Sequence, residues 1–409
     1  MKNEYFNSNF KPTIKREILL FFNFKIFSQS SKNIIIFIAI FYIGFSYIYK
    51  KKHNLSFKEI IIETNEYTNF NNLKQNIVNQ SLVSILKEIS IIKHIFSDNV
   101  NENKRFKNII HITVSINNMK NYKYILYVSM FSLLSNCNKD KTFIIYHILC
   151  TPDFDPSSIT IFFSLVKKFS HNVEMIFYNM GNNFIKYKQS FYSQATYYRL
   201  LVSIFIDADR VIHLDGDTLV FSDLDEMYNL DFNNNYILGF YDVISYALDY
   251  LGLKSNIYIN AGVILMNLKK MREDKKIFEI INITNSNIEL RNNDQTILNY
   301  VLYPKIGRLP SKYAIFNFED ESDINQYLSL IRTKIPKEEL EEAFKNPIII
   351  HSVLCTPKIW NFNSNYSKEY TKCVQRNNCS CIRYIKLWHL IAKKTDYYDE
   401  ISNFTFKNK

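Results

Sequence analysis

Three apolar runs, IIHITVSI (Ile109–Ile116), TFIIYHIL (Thr142–Leu149) and VEMIFY (Val173–Tyr178), are separated by two stretches of helical period, Tyr122–Ser135 and Ser157–Phe169. Strands alternating with helices predict an α/β sheet with crossover helices. In sheets of that kind ligands bind beyond the carboxyl ends of the strands, so the residues just after each strand are the ones to inspect.

The next strand candidate is the most informative. In RVIHLDGDTLVF (Arg210–Phe221), Val211–Leu214 read as a central strand, and Asp215, Gly216 and Asp217 follow where it should end. Carboxylates two apart in an extended segment project from the same side, and the glycine between them leaves the backbone room to turn. Two hard oxygen ligands at a strand end suit Mg²⁺ or Mn²⁺ bridging to phosphates. An Asp-x-Asp is also common in solvated turns, so this motif needs company to carry a function. No Gly-rich phosphate loop of the Walker or dinucleotide type occurs anywhere in the chain.

The company is present, in a fixed order. TYYRLL (Thr196–Leu201), HLDGDTLV (His213–Val220), NAGVILMNL (Asn260–Leu268) and NNDQTILN (Asn292–Asn299) are followed by an altered fifth block, HSVLCTPKIW (His351–Trp360). From Asn108 to Tyr366 the chain resembles the family-eight glycosyltransferases, the group of glycogenin and the lipopolysaccharide galactosyl- and glucosyltransferases. The resemblance implies a GT-A type fold, a Rossmann-like single mixed sheet with helices on both faces. It also implies a retaining transfer of a hexose, glucose or galactose, from a UDP-sugar to a glycan or glycolipid acceptor.

The resemblance assigns the metal, Mn²⁺ or Mg²⁺, to Asp215, Asp217 and His351. Two carboxylates, an imidazole and two diphosphate oxygens would fill most of an octahedral shell. Donor binding falls to Ser115, Asn117, Asn121, Arg199, Asp215, Gly216, Asn260, Ala261, Gly262 and Lys358, with Lys358 neutralising the departing diphosphate. Gln295 lies beneath the anomeric carbon, and Asp294 beside it serves sugar hydroxyls or the developing cation. An amide is a poor nucleophile, so retention is expected through front-face attack rather than a glycosyl-enzyme on Gln295. Two departures stand out. Asn117 occupies the place of an acidic residue that meets the nucleobase, and Val353–Thr356 lack the usual glycine while Ile359 separates Lys358 from Trp360.

Charge and hydropathy organise the rest. Residues 1–58 carry ten Lys or Arg against Glu4 and Glu17, most of the chain's net +11, so no nucleic-acid groove is expected over the globular part. The excess flanks the uncharged run Ile34–Tyr49, sixteen residues against the roughly 20 that span a bilayer. A single-pass membrane anchor is expected there, with its orientation left open by lysines on both sides. The expected organisation is a basic tail (1–33), the anchor (34–49), a stem with a mild helical period at Ser81–Phe96 (50–105), the catalytic domain (106–366) and a C-terminal helical extension (367–409). Cys373, Cys379 and Cys381 make a weak zinc signal; free or locally disulfide-bonded thiols fit their spacing better. Besides an active transferase, two readings compete. A catalytically silent nucleotide-sugar scaffold is favoured by Asn117 and the altered loop. A metal-dependent phosphoryl transferase using the two aspartates alone leaves the NAGVILMNL and NNDQTILN blocks without a task.

Overall fold

Alternating side chains along the two central strands decide where the layers lie. In β2 (Asn108–Ile116) the side chains of Ile110, Ile112, Val114 and Ile116 enter one core, while His111, Thr113 and Ser115 face the other way. β3 (Thr142–Cys150) repeats the pattern with Ile144, Tyr146 and Ile148. Both faces of the sheet are covered: Ile145 and Leu149 of β3 pack into the core on the other side. The computed structural model describes residues 82–96, 108–119, 121–169, 173–184, 193–253, 255–286, 292–353 and 382–406. All of them lie within one compact unit, Asn71–Lys409.

The main sheet has eight strands in the order β1-β4-β3-β2-β5-β8-β7-β9, with β1 at Ser90–Phe96, β4 at Val173–Asn179, β5 at Val211–Leu214, β7 at Ile237–Tyr241, β8 at Ile259–Met266 and β9 at Ile306–Arg308. β4, β3, β2 and β5 run parallel; β8 is antiparallel to both β5 and β7, and β1 is antiparallel to β4. One face carries α1 (Tyr122–Asn136), α2 (Thr160–Lys168) and the C-terminal helix over Ile382–Ala392. α1 is buried continuously from Ile125 to Leu134, as a helix covered on all sides must be. The other face carries the 3-10 segment Gln194–Leu201, the helix Lys276–Asn285 and the helix Asn293–Leu302.

Three expectations change. The sheet is not single: a three-stranded sheet, β10-β11-β6, stands beside it, built from Ile315–Phe316, Ile349–His351 and Thr218–Val220. The Asp215–Asp217 turn ends β5, so the chain leaves the main sheet and β6 pairs with β11 instead. The helical period expected over Ser81–Phe96 holds only to residue 88. Ser90–Phe96 is the edge strand β1, with Ile95 buried on one core, so the main sheet draws in residues expected as stem. Finally, the helix expected from Ser157 opens with a 3-10 turn, Pro156–Ile159, and Arg199 stands on a 3-10 segment, Gln194–Leu201. Among the described residues no helix is long and apolar enough to cross a membrane. The run Ile34–Tyr49 lies outside them, as do Lys358 and Cys373, Cys379 and Cys381.

On the lower half of the parallel strands, His111 Nδ1 lies 3.0 Å from His147 Nε2, and His147 Nδ1 lies 3.1 Å from Tyr178 Oη. Burial lowers the His111 pKa to about 4, with Glu174 opposing slightly, and lowers that of His147 well below its ordinary value. A folded pKa below the unfolded 6.5 means that the neutral ring stabilises the fold above pH 6.5, and that this stability drains away as pH falls toward about 4. The melting temperature is expected to fall steadily across that window. His111→Gln, which keeps a hydrogen-bonding group but never charges, should flatten the slope by up to about 3 kcal/mol at the acid end; an unchanged slope would contradict the assignment.

Candidate active site

The site forms where β5, β8, β11 and the helix we call α3, Asn293–Leu302, converge beyond the carboxyl end of β5. The Asp-Gly-Asp turn is held by backbone: Asp215 N–H donates to Gly262 O at 2.7 Å, and Thr218 donates to Asp215 O through both N–H and Oγ1 at 3.2 and 2.9 Å. In the second sheet His351 sits opposite Thr218, and Ser352 N–H donates to Asp217 O at 3.1 Å. That register brings His351 Nε2 to 3.6 Å from Asp215 Oδ2 and 3.4 Å from Asp217 Oδ1. One ligand atom from each of the three residues lies within 4.8 Å of the others.

Gly262 keeps this space open. A Cβ there would stand 2.0 Å from His351 Cε1 and 2.7 Å from Asp215 Oδ2. β8 bends at this point, since two steps of β7 from Gly239 to Tyr241 span five of β8 from Ile264 back to Ile259. Such a bulge re-aims the strand next to a site. Two carboxylates and an imidazole around a gap that only glycine leaves open suit a divalent cation taking oxygen and nitrogen ligands. Gly216 is tight as well, because a Cβ there would lie 2.7 Å from Tyr122 Oη.

Arg199 anchors the other side. Its guanidinium donates to Asp215 Oδ1 at 2.8 Å, to Thr196 O at 2.9 Å and to Ala261 O, and its Nε lies 3.0 Å from Asp294 Oδ2. Burial resists the charge on Asp215, but Arg199, then His213 and His351, outweigh it and hold the carboxyl well below the usual range. His213 is itself buried, its pKa lowered to about 4 by burial and by Arg199, and its Nδ1 lies 2.9 Å from Thr113 Oγ1. With Oδ1 of Asp215 occupied by Arg199, Oδ2 is left facing His351. Asp294 goes the other way: burial, helped by Asp215 and only partly offset by Arg199, raises its pKa to about 6.

Gln295 and Asn260 meet on one carboxylate that the sequence did not single out. Asp242, at the end of β7, accepts from Asn260 Nδ2 at 2.9 Å and from Gln295 Nε2 at 3.2 Å through the same oxygen. Gln295 Oε1 in turn accepts Ala261 N–H at 3.0 Å, and Asn260 Oδ1 accepts Gly262 N–H at 2.9 Å. Both amides are thus fixed in orientation. The signal that would have found Asp242 is its position just after an apolar strand, the criterion that found Asp215. Tyr384 was missed too: from the C-terminal helix Ile382–Ala392 its hydroxyl donates to Asp217 O at 2.8 Å. Only the long-range pairing shows that role.

Nine of the candidate residues are therefore joined by direct contacts: Arg199, Asp215, Asp217, Asn260, Ala261, Gly262, Asp294, Gln295 and His351. Ser115, Asn117 and Asn121 lie at the end of β2 and the start of α1. Ser115 Oγ is buried without a hydrogen-bond partner, and Asn117 borders a cavity of about 270 Å³ with Lys123 and Asp155. Lys358 lies outside the described residues.

Comparison with known proteins gives the family and the fold. The sequence model described as Glycosyl transferase family 8 matches residues 111–364, and the chain belongs to that family. It is 30% identical over 229 residues to a putative glycosyltransferase of Haemophilus influenzae, covering 53% of this chain and 66% of that protein. It is 28% identical to the glycosyltransferase GlyE of Streptococcus pneumoniae over 41% of this chain and 38% of that one. The chain thus spans less than two thirds of either relative. Among solved structures it resembles the bifunctional glycosyltransferase WbbM (TM-score 0.58, 19% identity, 75% of this chain and 53% of that one). It also resembles the galactosyltransferase LgtC, solved with donor and acceptor sugar analogues (TM-score 0.52, 20% identity, 71% and 100%). These likenesses show a GT-A-like α/β fold.

Gly262→Ala should weaken Mn²⁺ binding at least about 10-fold in a calorimetric titration, because the new methyl group occupies the space between His351 and Asp215. Far-UV circular dichroism should be unchanged. Parental Mn²⁺ affinity in this variant would rule the cradle out as the metal site.

Proposed function

We propose that this protein is a retaining, metal-dependent hexosyltransferase that moves glucose or galactose from a UDP-sugar to a saccharide or glycolipid acceptor. The observation that carries the proposal is the convergence of Asp215, Asp217 and His351 on the gap left by Gly262, joined through Arg199 and the β8 backbone to the polar side chains of Asn260, Asp294 and Gln295. A divalent cation held by the first three would neutralise the donor diphosphate and make it a better leaving group. The family resemblance assigns Lys358 the same task.

The side chains then divide the remaining work. Arg199 holds Asp215 and Asp294 apart and in place. Asn260 and Asp294 receive sugar hydroxyls, and Gln295 presents its carbonyl to the positive charge that grows at the anomeric carbon as the C1–O bond to the phosphate breaks. The acceptor oxygen bonds C1 from the face that the diphosphate leaves, and its proton passes to the departing phosphate oxygen. An α-linked donor thereby gives an α-linked product. Asp242 positions the machinery without touching the sugar, because its shared oxygen fixes which way both amides point. The silent-scaffold reading gives no reason for that oriented pair of amides.

We further propose that residues 34–49 anchor the chain in a membrane and that 50–81 belong to a tether, on the strength of the apolar run and its lysine flanks alone. A chain lacking residues 1–53 should be recovered in the soluble fraction; equal membrane recovery of both forms would contradict the anchor.

Two substitutions test the chemistry. Asp217→Asn is expected to slow Mn²⁺-dependent hydrolysis of UDP-glucose or UDP-galactose by roughly 10²-fold or more, the scale of one lost electrostatic group. Gln295→Ala should slow transfer by roughly 10- to 10³-fold without abolishing it. A β-linked product by NMR would reject retention, and a sugar adduct on Asp294 by mass spectrometry would replace front-face attack with double displacement.

A further inference from the structure

A second cavity lies away from the metal cluster. It measures about 690 Å³ and is lined by Asp249, Ser255, Asn256, Ile257, Tyr303 and Arg332, within the range of small-molecule sites. Four of its lining residues belong to the segments that leave β7 and enter β8, while Tyr303 follows the helix Asn293–Leu302 and Arg332 follows the helix Glu321–Leu330. β7 runs parallel to β5, since each is antiparallel to β8, so these segments emerge beyond the same strand ends as Asp215.

The cavity is tied to the reaction centre by α3. Gln295 Oε1 accepts Ala261 N–H at 3.0 Å. One turn on, Asn299 clasps Ile259, accepting its N–H and donating to its O at 2.8 Å each. A further turn on, Tyr303 and Ile257 face the cavity together. Eight residues of helix from Gln295 to Tyr303 measure about 12 Å. That is too far for the sugar being transferred and within reach of later units in a chain that starts at the reacting hydroxyl.

The lining chemistry selects the ligand. Arg332 donates from both Nη atoms to the two oxygens of Asp249, at 3.0 and 2.7 Å, and both side chains are more than a third exposed. An anion would have to displace Asp249 from Arg332, and a cation would have to displace Arg332 from Asp249. A neutral, hydroxyl-rich ligand can use the outward lone pairs and N–H groups of the intact pair. The half-buried Tyr303 ring adds an apolar face next to these polar groups. The floor is preformed: Ser255, buried, bonds both the N–H and the O of Ile257 at 3.0 Å, and Thr333 Oγ1 donates to Asn256 O.

We propose that this cavity is a binding subsite for a neutral oligosaccharide, holding the units of the acceptor that precede the one being glycosylated. The inference rests on the transferase reading, and it makes the acceptor an extended neutral glycan rather than a monosaccharide or a phosphorylated lipid headgroup.

The test uses the full chain and an array of neutral oligosaccharides, from disaccharides to octasaccharides of hexose and N-acetylhexosamine units. Longer members are expected to be retained. The double variant Asp249→Ala/Arg332→Ala, which removes a part-exposed ion pair, should lose that retention by roughly 10-fold or more. Asn256→Ala serves as a milder second variant with a smaller loss. Mn²⁺-dependent hydrolysis of UDP-sugar, which does not involve these residues, should stay at the parent rate in both. Failure of every neutral oligosaccharide to bind, or retention unchanged in the double variant, would overturn the subsite. Loss of retention in the variants of a chain that hydrolyses no UDP-sugar would support the subsite and count against the donor assignment instead.

Discussion

The Arg199 guanidinium, only 4% exposed, is where the separate pieces of the site meet. It reaches Thr196 on its own 3-10 segment, Asp215 after β5, Ala261 on β8 and Asp294 on α3. A cation so deeply buried is tolerated only because carboxylates and carbonyls replace its water. Removing one partner would leave an uncompensated charge in a low dielectric, so none of the four elements can drift from the others cheaply. Two carboxylates, Asp215 and Asp294, flank this one guanidinium, and a third, Asp217, meets His351 beside Asp215. With all three ionised the cluster carries two negative charges in excess. The upward shift of Asp294 eases that repulsion, and a divalent cation at His351 would cancel it.

The same constraint explains the division into two sheets. Asp215 must end one strand to face the crevice, and Asp217 must lie on the approach to β6, where it can meet His351. One continuous sheet cannot present three ligands from two strands around one point, whereas a turn between sheets can. The backbone bonds Asp215 N–H to Gly262 O and Ser352 N–H to Asp217 O fasten the turn to each sheet in turn. The C-terminal helix adds a third fastening through Tyr384, so residues beyond the family blocks contribute to the geometry of the metal turn.

Much of this was legible in the sequence, for identifiable reasons. The parallel strands β2, β3 and β4 announce themselves as short apolar runs between helical periods, and the ordered blocks point to the nine residues that converge. Legibility fails where pairing is non-local. β1 is an edge strand whose SIIKHIF does not alternate, and its Ile92 and Ile95 fit a helical period as well as a strand until β4 is known to lie beside it. The second sheet depends on His351 finding Thr218, a contact across more than a hundred residues. Tyr384 was invisible because it acts through a backbone carbonyl; Asp242 follows an apolar strand as Asp215 does, but only the structure shows it acting through the amides of Asn260 and Gln295.

The central claim is that Asp215, Asp217 and His351 present a divalent cation to the diphosphate of a nucleotide sugar. Calorimetric titration of UDP into the purified protein, with Mn²⁺ and then with the metal chelated, tests it most directly. The account predicts that UDP binds at least about 10-fold more tightly with Mn²⁺, and that His351→Ala removes most of this difference. Equal affinity for UDP with and without the metal would contradict it.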